Sequence, residues 1–311
     1  MTSLRVDTSG LTRAPEPPAR AASARAFAES TGGALLEAVP DFAAALRRFR
    51  VEGTDDGCLL VEGLPHDTGL PPTGESAAKA SGWSEAWLSA AGLALGQPLA
   101  FGAIKKGALF HDNFPRPDKV GVVASGNPGT DLGLHTELHY HSVPPAWLLL
   151  FCLVPDRHGE AATGVASWRR AAKKADLELV RDLRRPEFRV STDLAFRRLG
   201  SPETLAEPVP VLSGHPDDEH LHYDAELTVG TTPRATAALA RLDTLLREHL
   251  VEFRLRAGDL LVIDNRRTSH ARTRFRAYFD GRDRWLQRTY VVDPDSLTSD
   301  ERATWTTNRL P

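Results

Sequence analysis

Apolar residues recur along this chain in two rhythms. Leu35, Leu36, Val39, Phe42, Leu46 and Phe49 fall at helical spacing. Pro40 inside that pattern predicts two short helices or a kink. Residues 57–64 form a short apolar run between glycines, which reads as a strand. Residues 65–81 are rich in Pro, Gly and Thr and read as a loop. Ser84 stands where a cap is expected and predicts a helix through Ala94, ended by Gly96 and Pro98. From Ala100 the rhythm shortens. The runs A-F-G-A-I, G-A-L-F-H-D, V-G-V-V and A-W-L-L-L-F-C-L-V alternate with Gly, Pro and Asn and read as strands. A helix is expected over residues 167–183, capped by Ser167. Thr232-Pro233 opens another, with Leu239, Leu242, Leu245, Leu246 and Leu250 as its core stripe. Residues 259–264 and 285–292 read as the last two strands. The pattern predicts a mainly β fold, a barrel or jelly roll with flanking helices.

Composition alters this picture only at the N-terminus. Residues 1–30 are rich in Ala, Pro, Ser, Thr and Arg and read as a poorly ordered arm, which leaves 31–311 as a single domain. The chain has 311 residues, 41% apolar and 25% charged, as an ordinary globular protein does. A net charge of -3 gives no reason to expect nucleic acid or an anionic membrane as a partner. Cys58 and Cys152 both sit in apolar runs and read as buried reduced thiols. There is no run of about 18 apolar residues and no signal-peptide core, so a cytoplasmic protein is expected. Nothing in the sequence bears on oligomeric state.

The candidate chemistry begins at residues 134–141, L-H-T-E-L-H-Y-H. In an extended strand His135 and Glu137 would share a face and could grip one metal ion. His270, in V-I-D-N-R-R-T-S-H-A-R-T, is the candidate third ligand. Two His and one carboxylate with open positions opposite is the arrangement of non-haem Fe(II) oxygenases. Arg284 follows His270 by fourteen residues and Arg288 by eighteen. On one strand, 284, 286 and 288 share a face, so both guanidiniums are expected to line one cavity and to need carboxylate partners there.

At this point the chain resembles the clavaminate synthase family, including the oxygenases that hydroxylate arginine or asparagine. The resemblance rests on H-T-E-L-H-Y-H, A-A-T-G-V-A-S, G-D-L-L-V-I-D-N-R-R-T-S-H-A-R-T and D-G-R-D-R-W-L-Q-R, in order and spacing, over residues 33–293. It implies a double-stranded β-helix core and an Fe(II)/2-oxoglutarate dioxygenase that consumes O2. It further implies that His135, Glu137 and His270 bind iron, and that Arg284 with Thr163 binds the distal carboxylate of 2-oxoglutarate. By the same resemblance Arg288 holds a substrate α-carboxylate, Asp224 meets the polar end of the substrate side chain, and Ser125 contacts substrate.

The expected substrate is a free amino acid or close derivative with a polar or basic side chain, hydroxylated at Cβ or Cγ in specialised metabolism such as antibiotic biosynthesis. Two departures stand out. Arginine hydroxylases of the family carry a second acid where this chain has His222. Relatives place a Gln or Glu that receives the substrate amine where this chain has Ala103 and Ile104. Two other outcomes are kept open: oxidative cyclisation or desaturation of the clavaminate synthase type, and a cupin-like structural metal site using His135, His139 and His141. His139 and His141 otherwise read as supporting residues, His220 and His222 as a pocket wall or solvated loop, His111-Asp112 as pocket lining. Arg169, Arg170, Lys173 and Lys174 read as a solvated helix face.

Overall fold

The computed structural model describes residues 3–18, 21–75, 79–120 and 127–311. Its architecture is mostly sheet, with several helices packed outside. A seven-stranded sheet runs in the order Ser3–Leu4, Cys58–Val61, Leu260–Asp264, Trp147–Val154, Trp285–Val292, Gln97–Pro98, and His111–Asn113 also pairs with Trp285–Val292. A four-stranded sheet has the order Val251–Phe253, Thr163–Ser167, Thr268–Arg272, Leu132–His135.

Alternation along the central strands explains how these sheets stack. Leu148, Leu150, Cys152, Leu261, Ile263, Leu286 and Tyr290 lie on one face of the large sheet and share a cluster with Val165 and Phe253 of the small one. Leu149, Phe151, Leu153, Leu260, Val262 and Val291 lie on the other face and pack on Phe42, Leu46, Trp87 and Leu88 of the outer helices. Trp147–Val154 is buried on both faces, hence its unbroken apolar run. On the far side of the small sheet, Leu134 and Ala166 pack on Leu179, Leu183, Leu242 and Leu246. Each such fully buried side chain contributes roughly 1.5–3 kcal/mol against solvation.

Several expected elements form as read. The helices Gly33–Ala38 and Pro40–Glu52 meet at Val39, and Pro40 opens the second of them. Pro233–Glu248 is capped by Thr232, whose hydroxyl accepts from Ala235 N at 3.1 Å. Trp285–Val292 forms over the expected residues.

Other expectations need correction. The Trp83–Leu95 helix is not capped by Ser84. Asp67 does so from the preceding loop, accepting from Trp83 N at 2.9 Å and Ser84 N at 3.1 Å. The helix expected over 167–183 is broken into Trp168–Ala171 and Leu177–Leu183, because Asp176 caps the second through Leu179 N. Its basic face is solvated as read, Arg170, Lys173 and Lys174 being exposed, with Arg170 bonded to Asp56 and Lys173 to Asp55. The run A-F-G-A-I keeps only Ala100–Phe101 as strand, paired with Thr306–Thr307. Most of V-G-V-V lies outside the described residues. The described part of the expected arm makes specific contacts: Ser3–Leu4 pairs in parallel with Leu60 and Val61, and Ala24 and Ala28 are buried. Its small residues fit against neighbouring helices, which composition does not reveal. Among the described residues no helix is long and apolar enough to cross a membrane.

Candidate active site

His135 ends the Leu132–His135 strand and pairs with His270 in the neighbouring Thr268–Arg272 strand. That register brings the two imidazoles together, with ring centres 4.0 Å apart. Glu137 does not continue the strand as expected. It lies in a turn whose next residue, Leu138, has φ 49°. Asn265 replaces the missing strand partner, accepting from Glu137 N at 2.8 Å and donating to Glu137 O at 2.9 Å. The turn still brings Glu137 Oε2 to 3.9 Å from His135 Nε2 and 3.6 Å from His270 Nε2. All three ligand atoms lie within 4.8 Å of one another.

The surroundings prepare this trio for a cation. His135 Nδ1 donates to the Gly133 carbonyl at 2.8 Å, which turns Nε2 toward Glu137. Burial, then His135, pushes His270 down to about 4, which keeps its ring neutral. Glu137 is buried, which alone would raise its pKa. Arg288, His270 and His135 outweigh burial and hold it well below the usual carboxylate range. Arg288 Nη1 donates to Oε2 at 3.2 Å and Tyr290 OH to Oε1 at 2.6 Å. Two imidazoles and an ionised carboxylate form the N2O donor set that suits Fe(II) with open positions.

Arg284 lies just before the Trp285–Val292 strand, and a register shift falls beside it. It therefore reaches a different place from Arg288. Arg284 Nη2 donates to Thr163 Oγ1 at 3.2 Å. Burial lowers its pKa, and no acid lies within ion-pair distance among the described residues. A buried guanidinium without an acid fits the distal carboxylate of 2-oxoglutarate.

A cavity of about 450 Å³ is lined by His135, Glu137, His270, Arg288 and Asp224, together with Asp193 and Glu226. Asp224 reaches it because the segment 223–225 pairs with 134–136: Thr136 N donates to Tyr223 O at 2.7 Å and Ala225 N to Leu134 O at 2.9 Å. Its Oδ1 accepts from Glu226 N and Leu227 N at 2.7 and 2.9 Å, which fixes the carboxylate. Ala103 and Ile104 line an adjoining cleft of about 300 Å³ that shares Arg288 and Asp193 with the main cavity. Ser125 lies outside the described residues.

Sequence reasoning assigned no role to Asn265, Asp193, Glu226 or Tyr290. The D-N-R-R run and the position of Tyr290 two residues after Arg288 were the available signals. His141 is buried with Nε2 2.9 Å from the Arg309 carbonyl and Nδ1 accepting from Val143 N at 3.0 Å, so it is structural. His139 lines a separate cavity with His220 and His222. A metal site built from His135, His139 and His141 is therefore not what the chain forms. His111 Nε2 donates to the Ala108 carbonyl at 3.0 Å, and Asp112 accepts from Trp285 Nε1 at 2.9 Å. Cys58 and Cys152 are buried free thiols, both pushed up to about 12 by burial.

Facing sheets, an H-x-E/His trio and an acid-free buried arginine together define a non-haem Fe(II) oxygenase that uses an oxo-acid co-substrate. Comparison with known proteins makes the class specific. Residues 68–290 match the taurine catabolism dioxygenase TauD, TfdA family. The chain is 39% identical to L-asparagine oxygenase of Streptomyces coelicolor over 260 residues, 80% of this chain and 76% of that protein. It is 36% identical to clavaminate synthase 2 of Streptomyces clavuligerus over 255 residues, 80% of this chain and 78% of that protein. A solved structure of asparagine oxygenase with Fe(II), 2S,3S-3-hydroxyasparagine and succinate superposes with a TM-score of 0.83 at 33% identity, covering 94% of both chains. The protein belongs to the taurine catabolism dioxygenase TauD, TfdA family and is an Fe(II)/2-oxoglutarate-dependent dioxygenase. It works with Fe(II), 2-oxoglutarate and O2.

Proposed function

We propose that this enzyme hydroxylates an unactivated C–H, at Cβ or Cγ, of a free amino acid or close derivative with a polar or basic side chain, in specialised metabolism such as antibiotic biosynthesis. One observation carries the reading. The cavity that holds the metal-binding trio is lined by a cation, Arg288, and by three acids, Asp193, Asp224 and Glu226, none of which has an ion-pair partner among the described residues. An α-carboxylate suits Arg288 and a polar or cationic side-chain end suits the acids. L-asparagine oxygenase is named for an amino-acid substrate and its solved structure holds 3-hydroxyasparagine, which agrees.

In this reading His135, Glu137 and His270 hold iron, and Arg284 with Thr163 holds the distal carboxylate of 2-oxoglutarate. Bound iron and 2-oxoglutarate supply O2 activation and oxidising power, with 2-oxoglutarate leaving as succinate and CO2 and one oxygen atom entering the substrate. The chain's own work is positioning. Arg288 and Asp224 fix the two ends of the substrate, so the carbon between them faces the metal site. Tyr290 and Arg288 keep Glu137 ionised and oriented. Asn265 keeps its backbone in the turn. The two facing sheets are read as a double-stranded β-helix core, residues 31–311 as one domain, and the two buried thiols as those of a cytoplasmic protein.

Screening the common amino acids and their N-acyl derivatives for substrate-dependent succinate formation tests the proposal. A basic or amide amino acid should stand out. Asp224→Ala should abolish its turnover while 2-oxoglutarate binding is retained. Unchanged turnover in Asp224→Ala would remove Asp224 from side-chain recognition.

A further inference from the structure

A second arginine lies beside the co-substrate pocket, and its bonding is one-sided. Arg272 is two residues past His270 on the same strand and 7% exposed. Its Nη2 donates to the Asn127 carbonyl at 2.6 Å and the Thr130 carbonyl at 3.0 Å. Its Nε and Nη1 are buried with no hydrogen-bond partner among the described residues. Arg272 faces Thr163 across the strand pair, and Thr163 accepts from Arg284. Both guanidiniums lie against one ring: Arg272 Cζ is 5.2 Å and Arg284 Cζ 5.9 Å from the centre of Phe275. Two buried like charges thus converge with no acid between them. Such a pair is costly unless an anion joins it.

We propose that Arg272 and Arg284 together take the distal carboxylate of 2-oxoglutarate, and that Arg272 thereby makes residues 127–131 responsive to the co-substrate. This rests on the reading of Arg284 as the 2-oxoglutarate cation. An unpaired N–H of Arg272, on Nη1 or Nε, binds the carboxylate while Nη2 holds the loop. The loop is stitched to the same segment at two further points: Phe275 N donates to the Pro128 carbonyl at 2.9 Å and Arg274 N to Asp131 Oδ1 at 2.6 Å. Leu132, next in the chain, begins the strand that carries His135 to the metal-binding trio. Occupying the unpaired N–H groups of Arg272 fixes its guanidinium plane and with it both carbonyl bonds from Nη2 to the loop. The co-substrate would then order the loop leading to the iron site before the amino acid arrives.

The test uses the full chain loaded with Mn(II), which blocks turnover. Calorimetry gives 2-oxoglutarate affinity, and hydrogen exchange reports on the amides of 127–132 with and without 2-oxoglutarate. The wild type should show 2-oxoglutarate-dependent protection there. Arg272→Met should weaken 2-oxoglutarate by about tenfold or more, as expected for a lost charge-assisted bond, and should abolish the added protection without changing Mn(II) affinity. Arg272→Lys should recover part of the affinity but not the protection, because an ammonium lacks the second edge, and it serves the same test if the Met variant does not fold. Wild-type affinity in both variants, or a wild-type loop indifferent to 2-oxoglutarate, overturns the proposal. Arg284→Met separates the two readings. If it too binds 2-oxoglutarate normally, the assignment of the pocket falls; if it alone loses affinity, only the role of Arg272 falls.

Discussion

Two groups of charges flank the Trp285–Val292 strand, and they are balanced in opposite ways. On the helix side, Lys79 Nζ lies 3.1 Å from Asp67 and 2.6 Å from Glu85, and Glu85 Oε1 accepts from Gln287 of the strand at 2.9 Å. Asp67 also receives the first amides of the Trp83–Leu95 helix. This group is closed, every charge meeting its partner inside the chain. On the site side, buried Arg272 and its neighbour Arg284 have no acid, while part-buried Asp224 and the exposed Asp193 and Glu226 at the cavity mouth have no cation among the described residues. Burial alone therefore does not distinguish scaffold from site. What distinguishes them is whether the charges are answered internally.

The contrast can be broken by removing one member from each group. Glu137→Ala should cost the most on the site side: loss of iron and of turnover by more than about 100-fold, beyond what supporting partners cost, read by metal analysis and succinate release. Lys79→Met should cost the most in stability. Leaving Asp67 and Glu85 buried without their cation should remove about 3–5 kcal/mol in a denaturant titration, while the folded fraction keeps its wild-type KM for 2-oxoglutarate. A changed KM with intact stability would show that the helix-side group also serves the site. Arg284→Met should do the reverse. Losing a charged hydrogen bond to the co-substrate should raise the KM for 2-oxoglutarate roughly 10- to 100-fold, with the unfolding midpoint of the unliganded chain unchanged or raised. The smallest effect is expected from Tyr290→Phe: iron affinity falling about tenfold, as for other partners of metal ligands, with 2-oxoglutarate affinity retained.

How far the sequence could be read follows from the reach of each interaction. Trp285–Val292 and the Thr232-capped helix were legible because their signals are local. The convergence of His135, Glu137 and His270 was legible because His135 and Glu137 are neighbours and His270 sits in a distinctive run. The route by which Glu137 arrives was not. A strand was expected, and the structure uses a turn held by Asn265, which lies 128 residues away. Asp67 was missed as a cap for the same reason, since it lies 17 positions before Ser84 in the chain. Arg272 was quoted within a motif and passed over, because its position against Phe275 and Arg284 exists only once two strands are paired. Composition misled at the N-terminus, where small residues read as disorder but Ala24 and Ala28 pack tightly.

The two cysteines carry a practical consequence. Burial holds both thiols protonated across any usable pH, and neither is accessible to a reagent in solution. The native chain is thus silent to maleimide chemistry. Gly129 is exposed, and a Cβ added there would meet nothing nearer than 3.6 Å. A Gly129→Cys substitution would place a single reactive thiol in the loop beside Arg272. A spin label or fluorophore attached there would follow that loop in real time as each reactant is added.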